Sequence, residues 1–411
     1  MNTFDALQSK LDALIPMPGD LPVVYLLGDT GAGKTCFVRQ LLGTTEESFP
    51  SVRRFRTTVA PTEFIITNEP NLKAAFVFKT EDEIGQLVLE TLEKAVTDRV
   101  TSRGDDADIA QLADLLSESP DQRFRLRCFL DEPARLNLAK RIQEGLIPRI
   151  HSWAEAIFPN EPDISTVLEL AVDDEFKADI EKLRLEIMER ILVRIREVCG
   201  LSPDSRVPDH HTYSNADRHG FILKLKELLS LDEGSISPAL EKARVRGNLK
   251  SPVIPNEMQL VVTDGEGIGH DAREAKILSA RHFDYFYSSD AIILVEDAET
   301  PFTRGGKGAL GSIETNGYLP KLSLAFSRLD RVQTEREGRQ HQIREVNQSL
   351  RNVLNALNED GVRIDRETLD VRYFARMNEA QPDAESQNEL ADLLQSIVER
   401  HGRVKARFVA P

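Results

Sequence analysis

Apolar positions along the first eighty residues fall in short runs of strand length. Pro22 to Leu27 (PVVYLL) is β-branched and aromatic and stops at glycine-rich sequence, which predicts a buried strand entering a loop, with a helix beginning near Lys34. Pro61 to Thr67 (PTEFIIT) and Leu72 to Lys79 (LKAAFVFK) read as two strands around the turn Asn68-Glu69-Pro70-Asn71, a predicted hairpin. From Glu81 to about Leu249 the apolar spacing changes to three and four, as in Ile180, Leu183, Ile187, Ile191 and Ile195, and a block of helices is expected. Its expected breaks are Pro120, Pro133, Pro148, Pro159, Pro162, Pro203, Pro208 and Pro238.

Strand-like runs return at Met258 to Thr263 (MQLVVT), Ala291 to Val295 and Leu322 to Phe326. A last short one, Asp370 to Phe374, lies between two long polar helices, Val332 to Leu357 and Ala384 to Arg400. This order predicts an α/β fold: a mostly parallel sheet built from residues 1–80 and 251–411, interrupted by an inserted all-helical domain at 81–250.

Composition changes this picture little. The 411 residues suffice for such an arrangement, and 40% hydrophobic with 29% charged residues is ordinary for a globular chain. The net charge of -16 argues against a general footprint for nucleic acid or an anionic membrane, so no nucleic-acid partner is expected. Cys36, Cys128 and Cys199 are widely separated, as reduced thiols are rather than a disulfide framework or zinc cluster. No basic start precedes a long apolar run, so neither a signal peptide nor a transmembrane segment is read, and a cytoplasmic location is expected.

The chemistry concentrates in Gly28-Asp29-Thr30-Gly31-Ala32-Gly33-Lys34-Thr35, which fits G-x-x-x-x-G-K-[ST] between a predicted strand and a predicted helix. Glycines there let successive backbone N–H groups turn onto phosphate, Lys34 reaches the β and γ oxygens, and Thr35 offers its hydroxyl to Mg²⁺. A purine nucleoside triphosphate with Mg²⁺ is therefore the expected ligand. Downstream, Asp264-Gly265-Glu266-Gly267 follows a strand as D-x-x-G, placing Asp264 to hold the metal through water and Gly267 to report the γ-phosphate. Between loop and hairpin, Phe49 to Thr58 ends in paired threonines. Thr58, with Thr57 close behind, is the candidate to close over Mg²⁺ and the γ-phosphate, although both also suit the start of a strand.

Ser327-Arg328-Leu329-Asp330 ends another strand as S-R-x-D. An aspartate there can accept from the N1–H and exocyclic N2–H of guanine, while the basic stem packs on the base; the competing reading is a helix cap. The nucleotide-binding set is thus Gly28, Asp29, Thr30, Gly31, Ala32, Gly33, Lys34, Thr35 and Cys36, with Ser327, Arg328 and Asp330. Three other features read as bland: the arginine-rich helix Ile180 to Glu197 as a solvated surface, His210-His211 as an exposed loop, and Arg304 to Gly311 as a mobile glycine-rich connection.

In that order the motifs resemble the G domains of translation-factor-class P-loop GTPases, and most closely the bacterial dynamin-like GTPases. The resemblance covers about residues 20–80 and 255–380 and not the helical block. It implies a G-domain-like fold that binds and hydrolyses GTP with Mg²⁺; membrane remodelling is not carried over. A fifth, base-supporting motif is faint near Ala375-Arg376-Met377-Asn378. In such GTPases a polar side chain directly after the D-x-x-G glycine orients the attacking water. Here that residue is Ile268, with His270 a possible substitute if the loop folds back. Lys34, Thr58, Gly267 and His270 form the candidate catalytic set, and Thr35, Thr58 and Asp264 the metal set. Hydrolysis is expected to be slow alone and raised by self-association or a partner, through the switch loops or the helical block, with Arg53, Arg54 and Arg56 the arginines in reach of a phosphate. The rival readings are an ATPase of a signalling or defence system and a nucleotide-dependent scaffold with negligible hydrolysis.

Overall fold

The computed structural model describes residues 3–47, 49–50, 60–101, 109–118, 124–157, 176–252, 254–265, 267–268, 278–302 and 305–409. Chain order is α1 (Thr3–Leu14), β1 (Val23–Leu27), α2 (Lys34–Leu42), β2 (Thr62–Ile66), β3 (Leu72–Phe78), α3 (Glu81–Thr101), α4 (Ile109–Leu115), α5 (Glu132–Arg141), α6 (Ile147–Ile157) and α7 (Lys177–Val198). Then follow β4 (His210–Asn215), α8 (Arg218–Leu229), β5 (Leu240–Gly247), β6 (Leu260–Asp264), α9 (Ala280–Ser288), β7 (Ala291–Asp297), α10 (Gly306–Thr315), β8 (Leu322–Ser327), α11 (Arg339–Glu359), β9 (Asp370–Tyr373) and α12 (Ala384–Val409).

The architecture is mixed α/β, with a nine-stranded sheet ordered β4-β3-β5-β2-β6-β1-β7-β8-β9. β1 lies between β6 and β7 and is parallel to both; β7–β8, β8–β9 and β2–β5 are also parallel, whereas β2–β6 is antiparallel. Alternate residues of β1, β7 and β8 (Tyr25 and Leu27, Ile292 and Leu294, Leu324 and Phe326) share one face and join a core with Phe286, Leu310, Leu350 and Leu354 from the helices that follow. On the opposite end of α2, Arg218 donates to the carbonyls of Leu42 and Gly43, taking up acceptors that the helix terminus leaves unsatisfied.

Two compact units divide the chain: Met1–Phe76 with Thr212–Lys226 and Lys242–Pro411, and Val77–His211 with Glu227–Glu241. In the second, Ile180, Leu183, Ile187, Ile191 and Ile195 of α7 are buried as their spacing demands, and α7 packs along α3. Pro148 does not break the run. A π-helical turn at Ile142–Leu146 precedes it, and the chain stays helical from Glu132 to Ile157 because the widened turn accommodates a residue with no N–H to give.

Several expectations need correction. β2 and β3 do not form a hairpin; β5 lies between them in the sheet. The connecting turn is held open by Arg246 of β5, which grips the Glu69 carboxylate, and by Asn248 N, which donates to Glu69 O at 2.8 Å. Nor is 81–250 helical throughout, since it contains β4 and β5. β5 is buried yet reads LEKARVRG, because Lys242 and Arg244 are inward-facing charges. Arg244 Nε bonds Glu63 Oε2 of β2 at 2.7 Å, Lys242 pairs with Glu63 Oε1, and α1 completes the cluster: Gln8 bonds both Glu63 and Arg244, and Asp12 and the Ile15 carbonyl take Arg244 Nη1. Burial works against ionising Glu63, but Lys242 and Arg244 overcome it and hold its carboxyl below the usual range. Polar residues with buried counter-charges defeat a reading based on apolar periodicity. His210 and His211 lie in the edge strand β4 rather than a loop. The second glycine-rich stretch is helical from Gly306 onward as α10, with Thr303 and Arg304 outside the described residues.

Candidate functional site

Between β1 and α2 the chain turns through Gly28, Gly31 and Gly33, all at positive φ (146°, 85° and 106°). At two of them no side chain fits: a Cβ on Gly28 would sit 2.2 Å from the Val295 carbonyl oxygen, and one on Gly33 would meet Ser327 Oγ at 2.9 Å. The glycine spacing is thus dictated by β7 and β8, which press against the loop from the next two strands. Ser327 also donates its hydroxyl to the Ala32 carbonyl, tying the S-R-x-D strand end to the loop.

Gly33 caps α2, and Lys34 and Thr35 form its first turn, both buried. Lys34 Nζ donates to the carbonyls of Gly28 at 2.7 Å and Asp29 at 3.0 Å, so the ammonium is folded back over the loop it begins from. β6 ends at Asp264, 2% exposed and in register with Leu26 of β1. Gly267 follows beside the loop. A Cβ there would lie 2.9 Å from Thr30 Oγ1 and 3.4 Å from Lys34 Nζ, and Ile268 N donates to Gly28 O at 3.1 Å. Gly28 to Thr35, Asp264 and Gly267 are thereby gathered at the carboxyl ends of β1 and β6, where open α/β sheets place their ligands. The hydroxyl of Thr35 and the carboxylate of Asp264 are hard oxygen donors of the kind Mg²⁺ selects.

Ile268, directly after Gly267, is buried at 6% exposure and belongs to the core cluster. Thr57, Thr58, His270 and the arginines 53, 54 and 56 lie outside the described residues.

The S-R-x-D end of the sheet is assembled by β8 and β9. Arg328 has a left-handed backbone (φ 56°) and pairs with Asp297 at the end of β7. Asp330 is exposed at the strand end, and its Oδ1 accepts from Arg376 N at 2.8 Å, so the faint Ala375–Asn378 segment after β9 stands directly against it. Cys36 lies deeper, buried in α2; burial pushes its thiol up, against the pull of Arg39, Arg328 and Arg331.

Two contributors escape a motif reading. The carboxylate of Asp29 accepts from Gly305 N at 3.0 and 3.2 Å, fastening the turn to the cap of α10. Beside it is Glu296, 3% exposed at the end of β7, whose Oε2 accepts from Phe302 N at 3.0 Å. The acid closing the otherwise apolar AIILVE was its signal in the sequence. Burial, with Asp29 and Asp297 adding to it, pushes the Glu296 carboxyl up to about 8, against the Phe302 N–H and the charge of Lys34. Because the folded value lies above the unfolded 4.5, the stability this group permits is complete below pH 4.5 and is lost as pH rises toward 8. Glu296→Gln is expected to flatten that loss, by on the order of 3 kcal/mol at pH 7. Urea denaturation of both proteins between pH 5 and 8 checks it; parallel curves would refute a neutral Glu296.

No family model matches the sequence. No curated protein matches it either. Among solved structures, two similar chains are each described as part of an oligomerised bacterial dynamin pair that provides a mechanism for long-range sensing and tethering of membranes. The first is 13% identical with a TM-score of 0.41, and the second 14% identical with a TM-score of 0.38, each over 97% of this chain. This chain spans 42% and 50% of their lengths.

Proposed function

We propose that this chain is a Mg²⁺-dependent GTP-binding and GTP-hydrolysing switch, slow alone and activated by self-association or a partner. The observation that carries the reading is the convergence on one loop: glycines at positive φ opening into α2, Lys34 folded over them, and Gly267 lying against Thr30 and the lysine ammonium. That arrangement suits a triphosphate, with loop amides on the phosphate oxygens and Lys34 swinging from the Gly28 and Asp29 carbonyls to the β and γ oxygens. Thr35 and Asp264, with Thr58, would hold Mg²⁺, which would supply charge neutralisation to the phosphates. Gly267 N–H then senses the γ-phosphate.

Guanine over adenine follows from Asp330, an exposed carboxylate at the β8 end, flanked by Arg328 and steadied by Arg376 N. Slow intrinsic turnover follows from Ile268, whose burial leaves the water-orienting role to His270 or to an arginine of the 53–56 segment, in cis or across a dimer. One experiment tests both halves: turnover of wild type and Asp330→Asn with GTP and xanthosine triphosphate, across a range of protein concentration. We expect specific activity to rise with concentration and the mutant to prefer the xanthine nucleotide by about tenfold or more, since asparagine can donate to its 2-oxo group. A fast, dilution-independent rate would remove the activation claim, and unchanged GTP preference would favour an ATPase.

A further inference from the structure

α2 begins at the phosphate end of the site, and its second half reaches the base end. Phe37 packs edge-on against Phe374 at 4.6 Å between centroids, and one turn on Gln40, 3% exposed, extends to the same segment. Gln40 Nε2 donates to the Met377 carbonyl at 2.9 Å and the Glu379 carbonyl at 2.8 Å. Two carbonyl partners use both amide hydrogens, which fixes the orientation of the side chain. Between those carbonyls and β9, Arg376 adopts a left-handed backbone (φ 54°) and aims its N–H at Asp330 Oδ1. The other end of the segment is tied by Ser386, whose Oγ accepts from Ala375 N at 2.8 Å while donating to Asp383.

From this geometry we infer that Gln40 is a positioning residue for base selectivity: through the 375–379 segment it fixes where the Asp330 carboxylate stands, without touching the nucleotide. This rests on the guanine reading of Asp330. A left-handed non-glycine residue such as Arg376 keeps its conformation only where its surroundings over-determine it, and Gln40 and Ser386 are those surroundings. Freed from them, the segment relaxes and takes the Arg376 N–H out of line, and the carboxylate loses the orientation needed to accept two guanine hydrogens together. One hydrogen bond to the base tolerates such drift better than a matched pair does.

The test compares equilibrium binding of GTP and inosine triphosphate, which lacks the 2-amino group, to the full chain with Mg²⁺. For Gln40→Met we expect GTP affinity to fall about tenfold and inosine triphosphate by less than about threefold, so that the ratio between them narrows. Ser386→Ala is expected to narrow it in the same sense. A cooperatively melting Gln40→Met protein with an unchanged ratio, or with equal losses for both nucleotides, overturns the inference. If that variant does not melt cooperatively, the Ser386→Ala ratio decides in the same way. Asp330→Asn separates the two levels: without a gain for xanthosine triphosphate the guanine reading itself fails, whereas that gain alongside an unchanged ratio in Gln40→Met removes only the role of Gln40.

Discussion

Lys34→Ala is expected to lower triphosphate affinity by at least about a hundredfold, as measured by calorimetry with Mg²⁺ and a non-hydrolysable GTP analogue. Lys34 is the loop's one cationic side chain, and its Nζ already lies within 3.0 Å of two loop carbonyls, so little rearrangement carries it onto phosphate oxygens. Hydrogen bonds to charged groups contribute about 1.5–3 kcal/mol each, and a lysine bridging the β and γ oxygens makes two; the loss is ~3–6 kcal/mol, or ~10²–10⁴ in affinity. A diphosphate lacks the γ oxygens and should lose less. Arginine is no substitute, because its broad planar fork does not fit where the compact ammonium sits under Gly28 and beside Gly267. Wild-type affinity in Lys34→Ala would remove the phosphate assignment altogether.

The second large effect is on stability. Arg244→Ala should destabilise the protein by about 3–5 kcal/mol, because it strips a buried carboxylate, Glu63, of one of its two cationic partners and leaves Lys242 to balance the charge alone. The guanidinium also holds α1 through Gln8, Asp12 and the Ile15 carbonyl, so the N-terminal helix should loosen first. Urea denaturation gives the magnitude. Adding Glu63→Ala to Arg244→Ala should cost far less than the sum of the single changes, since the second removes a charge that the first has orphaned. The depressed Glu63 value fixes the pH response: its contribution is full above the unfolded value of 4.5 and disappears as pH falls through the folded value, so wild type should lose stability on acidification there and Arg244→Ala should lose less. An Arg244→Ala protein within about 1 kcal/mol of wild type would mean that water reaches the cluster.

How much of this was legible in the chain depended on whether the physics was local. The turn at residues 28–35 declares itself because its glycines and Lys34 fall within eight residues, and β1, β6, β7 and β8 because each is built mainly of buried apolar residues, as a strand between two covered faces requires. β5 stayed hidden: its inward-facing Lys242 and Arg244 are tolerated only because Glu63, some 180 residues away, is there to receive them. The hairpin failed for the same reason, since nothing in TEFII or LKAAFVF announces that a third strand will come between them. Asp330 ends a legible strand, and the segment that meets it is only faintly legible at Ala375 to Asn378, because Arg376 N–H reaches the carboxylate through a backbone conformation that arginine seldom adopts. Gln40 carried no signal at all, being one polar residue among several on a short helix. The engagement of Asp29 with Gly305 is not legible either, because Gly305 lies 276 residues further along the sequence.

The strand order has a consequence for how the protein comes to exist. β1, β2 and β3 all lie within the first 80 residues, and no two of them are neighbours: β1 sits between β6 and β7, β2 between β5 and β6, and β3 between β4 and β5. Every ladder they enter awaits sequence beyond residue 209, and the pairing of Thr62 with Ala243 closes a span of 181 residues. At a synthesis rate of ~5–20 residues per second, roughly ten to forty seconds pass between the emergence of β2 and that of either flanking strand. For that interval YLL, FII and FVF are unpaired, sticky edges on a ribosome-bound chain. Nascent chains stalled at residue 200 should therefore contain helix but no sheet, and should be held by chaperones, whereas those stalled past residue 330 should resist protease across β1 and β2 together.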